Sequence, residues 1–69
     1  MKEFKLDNSE YIELCDLMKV MDMAESGAAA KHLIAEGKVK VDGQTELRKR
    51  CKIRSGQIVE FKGSSVKVL

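Results

Sequence analysis

The sequence has no proline and no tryptophan, one histidine, one tyrosine, two phenylalanines and two cysteines. Each scarcity excludes something. The composition is outside the collagen, coiled-coil and disordered classes. Two cysteines are too few for the disulfide framework that staples small secreted domains. With no CxxC and no Cys–His pair at zinc spacing, Cys15 and Cys51 read as reduced thiols and no metal site is expected. Three aromatics (Phe4, Tyr11, Phe61), mostly needed for the core, cannot form the row of stacking rings used by single-strand nucleic-acid binders. No apolar run approaches the ~18 residues of a membrane span. The opening MKEFKLDNSE has no apolar stretch of the secretory type, so a cytoplasmic location is expected.

Length adds a further exclusion. Sixty-nine residues fit one domain, residues 1–69. A chain this short buries only about 60% of its unfolded surface. An enclosed enzyme pocket of about 300–1,000 Å³ would hollow out most of its core. Catalytic patterns are also missing: no GxSxG, no HExxH and no P-loop, since Gly37-Lys38 lacks both the upstream glycine and the following Ser/Thr. The protein is therefore expected not to be an enzyme and to need no cofactor.

What is present is charge, and it is divided. Charged residues make up 35% of the chain, for a net charge of +2. Residues 1–37 hold four basic and eight acidic side chains and net −4, whereas residues 38–69 hold nine basic and three acidic and net +6. Such a polarised domain presents a directional field.

The hydrophobic pattern supplies the scaffold. Glu3–Leu6 alternates and reads as a short strand or extended arm. Asp7-Asn8-Ser9 offers caps for a first helix, whose apolar stripe is Tyr11, Leu14, Leu17, Met18 and Met21. Ser26 caps a second helix with the stripe Ala30, Leu33 and Ile34, and Gly37 falls where a left-handed C′ residue is favoured. Lys31 lies off that stripe. The period then changes to two: Val39 and Val41 face one side, Lys38 and Lys40 the other, before the tight-turn pair Asp42-Gly43. Leu47–Ile53 reads as an extended basic stretch. Ile58–Phe61 and Val66–Leu69 read as strands separated by turns. The expected class is α+β, with two packed N-terminal helices on a small, mostly antiparallel sheet.

Arg48, Lys49, Arg50, Lys52 and Arg54 fall within seven residues. In an extended chain Arg48, Arg50, Lys52 and Arg54 point to one side, about 6.5–7 Å apart, near the pitch of successive phosphates. Arginine also suits phosphate because its planar fork donates to two oxygens at once. A charged edge strand guarded against aggregation is the competing explanation. The −4/+6 division favours a polyanion, because edge protection does not need so many like charges together. A membrane surface would call for these charges on an amphipathic helix, so duplex DNA and folded RNA remain.

The order of residues is also informative. Tyr11-Ile12-x-Leu14, Leu17-Met18-Lys19, Ala24-Glu25-Ser26-Gly27 and Ala30-Lys31-x-Leu33-Ile34-x-Glu36-Gly37-x-Val39-x-Val41-Asp42-Gly43 resemble the alpha-L RNA-binding motif, named for small-subunit ribosomal protein S-four. The continuation Glu46-x-Arg48-Lys49-Arg50-x-Lys52-Ile53-Arg54-x-Gly56-x-Ile58-Val59-Glu60 is similar to the stand-alone bacterial proteins of the YbcJ type. The resemblance implies two packed helices against a strand–turn element, with structured RNA, ribosomal RNA among the candidates, docked on a basic surface. Carried over by position, the contact residues are Lys31, Lys38, Lys40, Arg48, Lys49, Arg50, Lys52 and Arg54, with the backbone at Ser26-Gly27 assisting. Many members carry Arg or Lys at the start of the second helix, where this chain has Gly27-Ala28-Ala29. That departure shifts the expected grip to the strand-borne cations.

Three other functions compete. A ubiquitin-like sulfur carrier needs a Gly-Gly terminus, and this chain ends Val-Lys-Val-Leu69. A helix-turn-helix DNA reader would need base-reading side chains beyond Lys31 on its second helix. A protein-interaction adaptor using the acidic helical face is compatible with RNA binding at the other end. A monomer is expected.

Overall fold

The computed structural model describes Met1–Leu69 throughout. Its elements run β1 (Lys2–Phe4), β2 (Ile12–Glu13), α1 (Leu14–Val20), α2 (Gly27–Ala35), β3 (Lys40–Val41), β4 (Gln44–Thr45), β5 (Lys52–Ile53), β6 (Ile58–Phe61) and β7 (Ser64–Val68). Five strands form one sheet in the order β1-β7-β6-β3-β4, antiparallel except for the parallel β1–β7 pair. β2 and β5 form a separate antiparallel ribbon. This is the α+β arrangement of two helices on a mostly antiparallel sheet.

Local chemistry accounts for most element ends. The Ser26 hydroxyl accepts a hydrogen bond from the Ala29 N–H at 3.1 Å and opens α2. At its other end Gly37 has φ +78°, the Gly37 N–H donates to Ile34 and the Lys38 N–H donates to Leu33. Those two bonds satisfy carbonyls that the helix end would otherwise leave open. The β3–β4 and β6–β7 hairpins close on Asp42-Gly43 and Lys62-Gly63, each pair with positive φ at both residues. That backbone gives the turn twist that suits two-residue hairpins.

The core is a cluster of buried apolar side chains drawn from every layer. α1 supplies Leu14, Leu17 and Met18, α2 supplies Ala30 and Ile34, the sheet supplies Val41, Val59, Phe61, Val66 and Val68, and Val39 joins them from just before β3. No buried polar side chain is present. No helix is long and apolar enough to cross a membrane.

Two expectations are corrected. The first helix begins at Leu14, not after Ser9: Asp7 and Asn8 have φ +48° and +71° and form a turn closed by the Ser9 N–H donating to Leu6. Tyr11 therefore stands outside the helix and outside the buried stripe. The basic stretch is not extended throughout either. A turn closed by the Cys51 N–H donating to Arg48 interrupts it, and only Lys52–Ile53 is strand.

Candidate nucleic-acid interface

The basic segment is held against the start of α1. Helix α1 has no side-chain cap. Instead, the Leu14 N–H donates to the Cys51 carbonyl at 2.8 Å and the Cys15 N–H donates to the Lys49 carbonyl at 3.3 Å. Two N–H groups that a helix start leaves unpaired thus fasten the loop that carries Arg48–Lys52. Below it, Cys51 and the fully buried Ile53 anchor the segment in the core. Burying a side chain of that size stabilises by about 1.5–3 kcal/mol.

The far end is also fastened. The Arg54 N–H donates to Gln57 Oε1 at 2.8 Å, and Gln57 Nε2 donates to Asp42 Oδ2 at 3.1 Å. Asp42 Oδ1 accepts from the Ile58 N–H at 3.0 Å. Asp42 therefore both turns the β3–β4 hairpin and locks the Arg54–Gln57 turn beside it.

On this scaffold the cations differ in how free they are. The Glu46 carboxylate, whose side chain is only 16% exposed, accepts from Arg48 Nε at 2.9 Å, from Arg48 Nη2 at 3.1 Å and from the Arg48 backbone N–H at 3.0 Å. The Arg48 hydrogen bond is the chief cause holding the Glu46 carboxyl down at about 2, against an opposing effect of burial. Arg48 also donates to Cys51 Sγ at 3.4 Å. Burial, and secondarily the Glu46 charge, pushes the Cys51 thiol up. Lys38 pairs with Glu36 at 3.3 Å, and Arg50 lies 3.9 Å from Glu13. No carboxylate lies within 4 Å of the ammonium or guanidinium of Lys31, Lys40, Lys49, Lys52 or Arg54.

The structure brings part of the expected set together. Arg48, Arg50, Cys51 and Lys52 line one shallow hollow of ≈ 350 Å³. The regular four-cation row does not form, because the turn at 48–51 breaks the alternation; Lys49 is exposed on the turn with the others. Alternation holds from Cys51 to Arg54, where the odd residues are buried and Lys52 and Arg54 are exposed. Lys38 and Lys40 instead line a second hollow with Lys62 and Glu60. Lys31 is half-buried on α2 and lines neither.

Two further residues stand among these cations that the sequence pattern does not pick out. Tyr11 sits on the exposed face beside Lys52 and Arg54, whose cationic groups lie 5.0 and 5.6 Å from its ring centroid. Its spacing to Leu14 mimicked a helical stripe and concealed this. Lys62 joins Lys38 and Lys40, a placement that its position before a turn glycine does not reveal. For a metal, only Glu13, Cys15 and Asp16 bring three donor atoms within 4.8 Å of one another. The Cys15 thiol is buried and Glu13 faces Arg50, so this donor set lacks the open, unpaired character of a built site.

Comparison with known proteins places the sequence and the fold. YbcJ of Escherichia coli (strain K12) is 56% identical over 69 residues, covering 100% of this chain and 99% of that protein. YbcJ of Shigella flexneri matches to the same extent. The solution structure of E. coli YbcJ, described as revealing an αL motif involved in RNA binding, superposes with a TM-score of 0.76. The match covers 100% of this chain and 87% of that one. The S4 domain family model matches residues 4–69, the two helices, both hairpins and the fastened basic loop together. By fold and by sequence, this chain belongs to the S4 domain family.

Proposed function

We propose that this chain is a non-catalytic RNA-binding protein that docks structured RNA, such as ribosomal RNA, on the loop Arg48–Arg54. The observation that carries the reading is the fastening of that loop. Backbone bonds to α1, the buried Cys51 and Ile53, and the Asp42–Gln57 clamp hold five exposed cations on one ordered segment. Charges fixed before binding lose little entropy on docking. The relatives support the same reading, since E. coli YbcJ is described as carrying a motif involved in RNA binding.

Lys49, Lys52 and Arg54 are the contacts available at once, and Arg50 follows with its loose partner. Arg48 and Lys38 must first exchange a carboxylate for a phosphate. Lys40 and Lys31 extend the positive field away from the loop. The whole chain acts as one domain, a cytoplasmic monomer, leaving the acidic helical face free for a protein partner.

Salt titration of binding to a short RNA hairpin checks this. With about six phosphate contacts, log K should fall by roughly 4 to 5 units per tenfold rise in salt. Binding that is absent, or tight but indifferent to salt, would overturn it.

A further inference from the structure

We propose that the Tyr11 ring is a stacking platform for one unpaired base, so that the RNA taken by this surface carries an unpaired nucleotide beside a paired stem. The inference rests on the RNA-binding reading above and adds what kind of RNA the surface selects.

The β2–β5 ribbon has two faces. Its register pairs Ile12 with Ile53 and Glu13 with Lys52, which puts Tyr11 across from Arg54. The isoleucines turn into the core, and Tyr11, Glu13, Lys52 and Arg54 share the outer face. Of the three aromatics, Phe61 is buried and Phe4 packs against the core. Tyr11 is 37% exposed and lies outside that cluster. The exposed ring therefore stands on the basic surface.

Its neighbours fit the chemistry of a nucleotide. Lys52 Nζ and Arg54 Cζ lie 5.0 and 5.6 Å from the ring centroid, a weak attraction at an exposed site. A base can take the ring face while the displaced cation moves to the phosphate of the same nucleotide. Stacking and charge neutralisation then occur at one place. Every base has a π-face, so this contact needs an unpaired base but no particular sequence. A perfect stem keeps its bases stacked inside and offers the ring nothing. One ring takes one base, which separates this surface from the multi-ring platforms of single-strand binders.

The protein supplies its own probe, because Tyr11 is the one tyrosine and tryptophan is absent. The full chain is titrated with a perfectly paired RNA hairpin whose loop is replaced by a base-free linker, and with the same hairpin carrying one unpaired adenosine in its stem. Tyrosine emission should be quenched by the second hairpin and little changed by the first. Wild type and Tyr11→Phe should prefer the second hairpin by about 5- to 150-fold, the range expected for one base on one ring. Tyr11→Leu should lose that preference and keep its affinity for the paired hairpin within about twofold, because the cations remain. Equal affinity of the wild type for both hairpins, or equal losses for both in Tyr11→Leu, would overturn the stacking role and leave RNA binding standing. Failure of the wild type to bind either hairpin would overturn the RNA-binding reading itself. The emission measurement needs no variant and so does not depend on Tyr11→Leu folding.

Discussion

Glu46→Gln is expected to tighten RNA binding, although Glu46 makes the best-formed ion pair on the basic surface. In the free protein both Glu46 oxygens are taken up by Arg48, at 2.9 and 3.1 Å. The Arg48 charge is therefore neutralised where a phosphate should sit. Glutamine keeps the shape and one acceptor but removes the charge. Each phosphate contact adds about 0.7 to 0.9 to the slope of log K against log salt. Extrapolated from molar to physiological salt, a contact that Arg48 no longer has to win from Glu46 is worth at most about a fourfold to fivefold gain in affinity. The cost in stability should be about 1–2 kcal/mol: less than the ~3 kcal/mol that the depressed Glu46 carboxyl would give by itself, because Arg48 is mostly solvent-exposed and water screens the pair. The pH dependence of stability has a definite sign. The fold holds the Glu46 carboxyl down at about 2, against 4.5 for an unperturbed glutamate. Its contribution is thus fully present above about pH 4.5 and is lost as pH falls through about 2. In Glu46→Gln this part of the acid dependence should vanish. Fluorescence anisotropy with a labelled hairpin measures the affinity, and urea denaturation across pH 2–5 measures the stability. Unchanged or weaker binding by Glu46→Gln would refute the reasoning, and would mean that Glu46 aims Arg48 at its ligand instead of occupying it.

Other consequences concern the support of the loop. Ile53→Ala should cost about 2–5 kcal/mol in urea denaturation, since Ile53 is fully buried beneath the basic segment; a loss well under 1 kcal/mol would show that the segment is not anchored there. Neither Cys15 nor Cys51 should react with a thiol reagent at mild alkaline pH while the protein is folded. Both are buried, and burial pushes the Cys51 thiol up. Rapid labelling of the folded protein would contradict that packing.

Much of this was legible in the sequence where the cause is local. Ser26 caps α2 through its own hydroxyl, Gly37 ends it through its own backbone, and Asp42-Gly43 bends through its own dihedral angles. Val39 and Val41 face the core as their alternation requires. The failures are non-local. Tyr11 sits at helical spacing from Leu14, yet Ile12–Glu13 is extended because it pairs with Lys52–Ile53 some forty residues away. The run Arg48–Cys51 reads as strand, yet it turns and gives the carbonyls of Lys49 and Cys51 to the start of α1. Neither partner is visible in the segment that depends on it. For the site, the sequence showed which cations cluster, but not which are already engaged: the Glu46–Arg48 pairing and the freedom of Lys49, Lys52 and Arg54 appear only in three dimensions.

The central claim is that the ordered loop beside β2 is the RNA-binding surface, and amide chemical-shift mapping tests it most directly. A paired RNA hairpin added to isotope-labelled protein should shift the amides of residues 11–13 and 48–54 most. The apolar hollow between α2 and the β6–β7 turn, lined by Met23, Ala28, Leu33 and Phe61, should be left largely unchanged. Shifts concentrated in that hollow or on the acidic helical face, with residues 48–54 unmoved, would contradict the account.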